Sequence, residues 1–230
     1  MSLLLDDPQI DPHVDAIDED YTPHYLADLL HGLGDISAER VLLKPIPGTA
    51  TVDDLIAHTA KTGRLLELVD GTLVEKPMGA PESRLAFQLG YFVERYLENN
   101  NLGIPYGADA TLRILPGAVR LPDFSFVKWS DVTDSSELKK QVPHFVPSLA
   151  VEILSPSNTR AEMNRKRREY FSAGTQIVWE VEPHGRLVRV YSDADTFTIV
   201  DELGTLTAKD VLPGFSLSIK TWFDRAFRGR

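Results

Sequence analysis

SLAVEILSPSNTRAEMNRKRREY, residues 148–170, opens as a strand and closes as a helix, and in both halves it puts charge where the pattern asks for apolar side chains. A strand alternates its faces, so Ala150, Glu152 and Leu154 share one side while Leu149, Val151 and Ile153 share the other. The near-continuous apolar run favours a central strand covered on both faces, which buries Glu152. A buried carboxylate without a compensating cation costs several kcal/mol. In the second half, Asn158 or Thr159 caps a helix that runs to about Ala173, with Gly174 at its end. Met163, Tyr170 and Phe171 mark the inward face. Lys166 lies three residues after Met163 and four before Tyr170, on the same stripe. Arg165, Arg167 and Arg168 fan around it. Plainer readings stand beside these: a structural salt bridge from Glu152 to an Arg of the helix, a solvated basic face with snorkelling stems, or an intrahelical Glu162–Lys166 pair.

Working outward, QIVWEVEP, LVRVYS and FTIVDE read as strands separated by turns rich in Pro, Gly and Asp. PGFSLSI follows as a late strand and KTWFDRAF as a closing helix. Upstream, PHYLADLLH reads as a short amphipathic helix, and Thr51 with Asp54 opens a second one that Gly63 ends. RLLELVDGTLVEKP reads as a hairpin turning on Asp70-Gly71. Pro81 starts a long helix whose Leu85, Leu89, Phe92, Val93, Tyr96 and Leu97 form one wide apolar face. IPYGAD, ATLRIL and DFSFVKW are strands, and residues 130–144 are polar and irregular, with a short helix as the alternative. This order predicts a single α/β domain over residues 21–230, with its core at about 64–220 and a mixed central β-sheet flanked by helices.

The composition narrows the chemistry. The 230 residues contain no cysteine, which removes disulfides, thiol nucleophiles and zinc–thiolate sites. The net charge of −10 is uneven: residues 1–20 carry seven acids and no Lys or Arg, leaving −3 for the other 210. This segment reads as an acidic, mobile N-terminal arm, or more sharply as one that competes with a polyanion for a basic groove. No apolar run approaches the roughly 20 residues of a membrane span, so the expectation is a soluble, cytoplasmic protein. The six His form no HxxxH pair, and neither a phosphate loop, a GxGxxG turn nor a GxSxG elbow is present.

Two more acids join Glu152. Asp123 follows Pro122, which holds the preceding residue extended, so the carboxylate enters the aromatic strand at a fixed place; alone it could be an ordinary strand-start Asp. Glu82 lies in the first turn of the long helix, where an acid also complements the helix dipole. A carboxylate cluster with one lysine suits a hard divalent cation such as Mg²⁺. Such an ion polarises a phosphodiester, and a nearby ammonium stabilises charge in the transition state.

The segments LELVDGTLVEKPMGAPES, VRLPDFSFV, PSLAVEILSPSNTRAEMNRKRREYFSAGTQIVWEVEP and VLPGFSLSI resemble, in order, those of the Uma-type restriction endonucleases, a branch of the PD-(D/E)XK nuclease superfamily. The resemblance implies a restriction-endonuclease-like core and a Mg²⁺- or Mn²⁺-dependent enzyme that cuts DNA, plausible as a homodimer. It implies that Asp123 and Glu152 bind the metal with the main-chain carbonyl of Ile153, and that Glu82 is the added helical acid. It also implies that Lys166 replaces the lysine expected two residues after the strand Glu, where this chain has Leu154. Arg165, Arg167 and Tyr170 are candidates for the substrate phosphate. The alternative is a non-cleaving DNA-binding or protein-interaction module of the same fold.

Overall fold

The computed structural model describes residues 23–77 and 79–228. The acidic segment 1–20 lies outside the described residues. The chain begins with α1 (Leu26–Gly32), a 3₁₀ turn at Ala38–Arg40 and α2 (Val52–Thr62). A reciprocal cap starts α2: Asp54 N–H donates to Thr51 Oγ1, and Thr51 N–H donates to the Asp54 carboxylate at 2.8 Å. Strands β1 (Leu66–Val69) and β2 (Thr72–Glu75) pair with Val69 opposite Thr72, so Asp70 and Gly71 alone make the turn. Both have positive φ, 45° and 66°, which matches the twist of a tight hairpin. A Cβ on Gly71 would come within 2.5 Å of the Gly48 backbone, so this turn also needs glycine for its close packing.

Helix α3 (Ala80–Leu97) has a proline in its first turn and buries Leu85, Ala86, Leu89 and Val93. Then come β3 (Gly103–Tyr106), β4 (Leu112–Leu115), β5 (Ala118–Arg120), β6 (Phe124–Lys128) and β7 (Leu149–Ile153). Helix α4 (Arg160–Ala173) follows. Thr159 Oγ1 accepts from Glu162 N–H at its start, and Gly174, at φ 111°, ends it. The chain finishes with β8 (Ile177–Glu182), β9 (Leu187–Tyr191), β10 (Phe197–Val200), β11 (Thr205–Ala208), β12 (Leu212–Ser218) and α5 (Ile219–Ala226).

The central sheet is mixed and six-stranded, in the order β10-β9-β8-β7-β6-β3. Its parallel pair is β7 with β8, joined across α4 as a strand–helix–strand unit. Leu149, Val151 and Ile153 face the core made with Leu89 of α3 and Trp222 of α5. Ala150 and Val178 face the opposite core, made with Tyr170 of α4 and Leu112 of β4. Glu152 belongs to this second face, as the alternation requires. Helices therefore flank the central sheet on both sides, an α/β fold with a mixed sheet.

Two features depart from the sequence reading. The hairpin does not join the central sheet; it enters a separate four-stranded antiparallel sheet ordered β2-β1-β5-β4. Strands β5 and β11 were not anticipated, being only three and four residues long. The segment 130–144, read as irregular or as a short helix, carries 3₁₀ turns at Trp129–Asp131 and Ser135–Lys139. Among the described residues no helix is long and apolar enough to cross a membrane.

Candidate active site

The two sheets meet at a buried cluster of opposite charges. Asp123 lies one residue before β6, where its main-chain N–H donates to the Val151 carbonyl at 2.9 Å. Its Oδ2 accepts the Ile153 N–H at 2.6 Å, so the side chain closes the edge at which β7 outruns β6. In an extended strand the N–H and C=O of one residue point to the same edge, which places the Ile153 carbonyl on the Asp123 side. Asp123 Oδ1 is paired with the Lys76 ammonium at 2.8 Å, and Lys76 also donates to the Leu121 carbonyl.

Glu152 lies in β7, one residue past the last β6–β7 pair of Phe124 with Val151, which puts it beside Asp123. Its Oε1 accepts the Tyr170 hydroxyl at 2.7 Å, and its Oε2 lies 3.4 Å from Lys166 Nζ. Lys166 reaches inward from the middle of α4 and makes its shorter contact, 2.9 Å, with Glu67 Oε1 of β1. Arg120, at the end of β5, donates to Glu67 Oε2 at 2.9 Å and to Glu169 Oε2 at 2.6 Å. Arg165 completes the chain of pairs, donating to Glu169 Oε1 at 2.8 Å.

These contacts set the protonation of the site. Burial would raise the Glu67 carboxyl, but Lys166, Arg120 and Lys76 outweigh it and hold it well below the usual carboxylate range. Glu152 goes the other way. Burial, aided by the nearby Asp123 and Glu67 carboxylates, pushes it up against the pull of Lys166 and Lys76. Burial disfavours the Lys166 ammonium, yet Glu152 and Glu67 more than offset this and raise it, so Lys166 is a fixed positive charge. Burial raises the Tyr170 hydroxyl far up, with Glu152 adding to it, so Tyr170 is a hydrogen-bond donor and not a phenolate.

The structure thus brings Asp123, Glu152, Lys166, Ile153 and Tyr170 together. It does not bring Glu82 to them. The Glu82 carboxylate is folded against Gly79 at the start of α3, and among the described residues it makes no hydrogen bond or ion pair with Asp123, Glu152 or Lys166. The flanking arginines are held by the protein itself. Arg165 is bound by Glu169, by Asp70 at 2.6 Å and by the Gly32 carbonyl. Arg167 pairs with Glu180 at 2.6 Å and stacks 4.1 Å from the Tyr191 ring centroid. The intrahelical Glu162–Lys166 pair is not formed: Glu162 turns away to Arg40, which grips it with two donors at 2.6 and 3.0 Å. Glu67, Lys76, Arg120 and Glu169 were missed by sequence reasoning. Glu67 carried the same signal as Glu152, a carboxylate inside an apolar strand run, LELV.

As to a metal, among the described residues no group of three or more His, Cys, Asp or Glu side chains is gathered to hold one. The smaller set formed by Asp123, Glu152 and the Ile153 carbonyl consists of hard oxygen donors, which fit Mg²⁺ with water filling the other positions.

A mixed six-stranded sheet flanked by helices, with an Asp and a Glu at the neighbouring ends of two central strands and a lysine aimed at the Glu, defines a restriction-endonuclease-like protein. Residues 52–220 match the Uma2 family, described as "Putative restriction endonuclease", and the chain belongs to that family. Its function is nuclease-like at that level. A crystal structure of a "putative nuclease" of the DUF820 group from Anabaena variabilis ATCC 29413 is similar in fold. Its TM-score is 0.64 at 19% sequence identity, over 72% of this chain and 93% of that one. No curated protein matches.

Proposed function

We propose that this chain is a metal-dependent endonuclease that hydrolyses DNA phosphodiester bonds, with Asp123, Glu152 and the Ile153 carbonyl holding Mg²⁺ or Mn²⁺. One observation carries the reading: Asp123 and Glu152 are buried together where β6 begins and β7 ends, with the Lys166 ammonium 3.4 Å from Glu152. When bound, such an ion would polarise the phosphodiester and ease the deprotonation of water. The residues of the chain do the rest. Lys166, held in its charged form by Glu67 and Glu152, cannot serve as a base; it stabilises negative charge developing on the phosphate. Tyr170 fixes the Glu152 carboxylate by its hydroxyl. A homodimer would present two such sites to the two strands of a duplex, and the reading suits a cytoplasmic protein.

The second reading is a non-cleaving module of the same fold. It is favoured by Arg165 and Arg167, whose guanidinium groups are taken up by internal carboxylates instead of facing a ligand. Supercoiled and linear DNA incubated with Mg²⁺ or Mn²⁺ separates the two. Cutting by the wild type that is lost in Glu152→Ala and Lys166→Met supports the nuclease. Metal-dependent cutting that persists in Glu152→Ala removes the site assignment, and metal binding without cutting favours the module.

A further inference from the structure

Asp123 already has a counter-ion. One of its oxygens, Oδ2, is committed to the Ile153 N–H, and the other, Oδ1, is covered by Lys76 at 2.8 Å. We infer that Lys76 is a displaceable counter-ion, which occupies Asp123 Oδ1 until a divalent cation takes that oxygen, and which then turns to the phosphate of bound substrate. This rests on the metal-binding reading of Asp123 and Glu152 given above.

Charge requires some such exchange. Four buried acids face four bases in two sets of ion pairs: Asp123 with Lys76, and Glu67, Glu152 and Glu169 with Arg120, Lys166 and Arg165, the last of which also reaches the exposed Asp70. A divalent cation added to a balanced, buried set leaves two positive charges out of water without partners. Either an ammonium leaves or an anion arrives. The displacement of Lys76 followed by its contact with a phosphodiester does both.

Among the three innermost bases, Lys76 is the one held least firmly. Lys166 is anchored mid-helix between two carboxylates, and Arg120 grips Glu67 and Glu169 together. Lys76 has a single carboxylate and a single carbonyl, and it lies on the connection just past the end of β2. Its ammonium is a strongly hydrated point charge on a flexible four-carbon stem, able to swing between partners where a guanidinium fork would stay. Glu152 needs no such exchange, because its counter-ion Lys166 is shared with Glu67 at the shorter distance of 2.9 Å and keeps that partner if a cation takes a Glu152 oxygen.

The test uses the full chain, Mn²⁺ as the probe and two readouts besides cleavage. The first is amine acylation of wild type followed by mass spectrometry. Lys76 is expected to be protected without metal and acylated about ten-fold faster with saturating Mn²⁺, while Lys166 stays protected in both states. The second is calorimetric titration of Lys76→Met, which is expected to bind Mn²⁺ about ten-fold more tightly than wild type, since a charge-assisted competitor has gone. Mn²⁺ binding by wild type with Lys76 still protected overturns the exchange and leaves the metal site standing. Equal affinity of wild type and Lys76→Met does the same. Absence of Mn²⁺ binding in both proteins removes the metal reading, and the exchange with it. If Lys76→Met does not fold, the acylation of wild type decides alone.

Discussion

Glu67 and Glu152 hold the same ammonium, Lys166 Nζ, at 2.9 and 3.4 Å, and they do so from two different sheets. The lysine of α4 is therefore the joint between the four-stranded sheet and the central one. The two carboxylates nevertheless respond oppositely to the site. Three cations reach Glu67 and hold its carboxyl down, whereas burial wins at Glu152 and its carboxyl rises.

This asymmetry separates two isosteric substitutions. Glu67→Gln removes the shared partner of Lys166 and Arg120, both buried, and is expected to cost about 3–5 kcal/mol of stability. Glu152→Gln keeps an acceptor for Tyr170, leaves Lys166 its Glu67 and removes an unfavourably buried charge. It is expected to unfold, with a chelator present, at a temperature no lower than wild type. Urea unfolding of both variants checks the pair; equal losses in the two would contradict the asymmetry.

Acid should expose the same difference. Glu67 and Glu162 have carboxyls held below their ordinary value of 4.5 in the folded protein, so the unfolded chain takes up their protons first as the pH falls. Their stabilisation is complete above that value and is lost as the pH drops through it toward their folded values. Glu152 has the opposite sign: its raised carboxyl binds a proton in the folded state first, which favours folding as the pH falls. Melting temperatures followed from neutral pH downward are expected to fall less steeply in Glu67→Gln than in wild type, and more steeply in Glu152→Gln.

Much of this was legible in the chain, and for definite reasons. Glu152 and Lys166 stood out because each interrupts a periodic apolar pattern, and local periodicity is what a sequence displays directly. Glu67 interrupts LELV in the same way, but there the Asp70-Gly71 turn dominated the reading. Arg120 sits in a strand of three residues, too short to show any alternation. The division into two large sheets was not legible, because β1 pairs with β5 across about fifty residues of chain and no local pattern records that register. Lys76 gave no signal either: a lysine after a hairpin is ordinarily solvated, and only the fold brings it to Asp123.

Tyr170 offers a check on the inward face of α4. Its ring is fully buried, and its hydroxyl donates to Glu152 Oε1 at 2.7 Å. Tyr170→Phe keeps the ring and withdraws one donor from a carboxylate already short of compensation. A loss of about 1.5–3 kcal/mol is expected from a hydrogen bond to a charged group. Chemical denaturation measures it, and a change within error of zero would mean that the hydroxyl does not support Glu152.

The pair of Arg40 and Glu162 tests what ties the N-terminal elements to α4. Arg40 donates to both Glu162 oxygens and, through Nε, to the Glu75 carbonyl at 2.9 Å. Both side chains are buried, so Arg40→Met alone strands a carboxylate that keeps only Asn158 and the distant Lys166 for compensation. That single change is expected to cost about 3–5 kcal/mol, as breaking a buried pair does. Arg40→Met with Glu162→Leu removes both charges and leaves apolar volume in their place, and most of the loss should return. A double-mutant cycle by urea unfolding gives the coupling directly. If the double variant is as unstable as the sum of the singles, the pair acts through its hydrogen bonds to Glu75 and Asn158 and not through its charges.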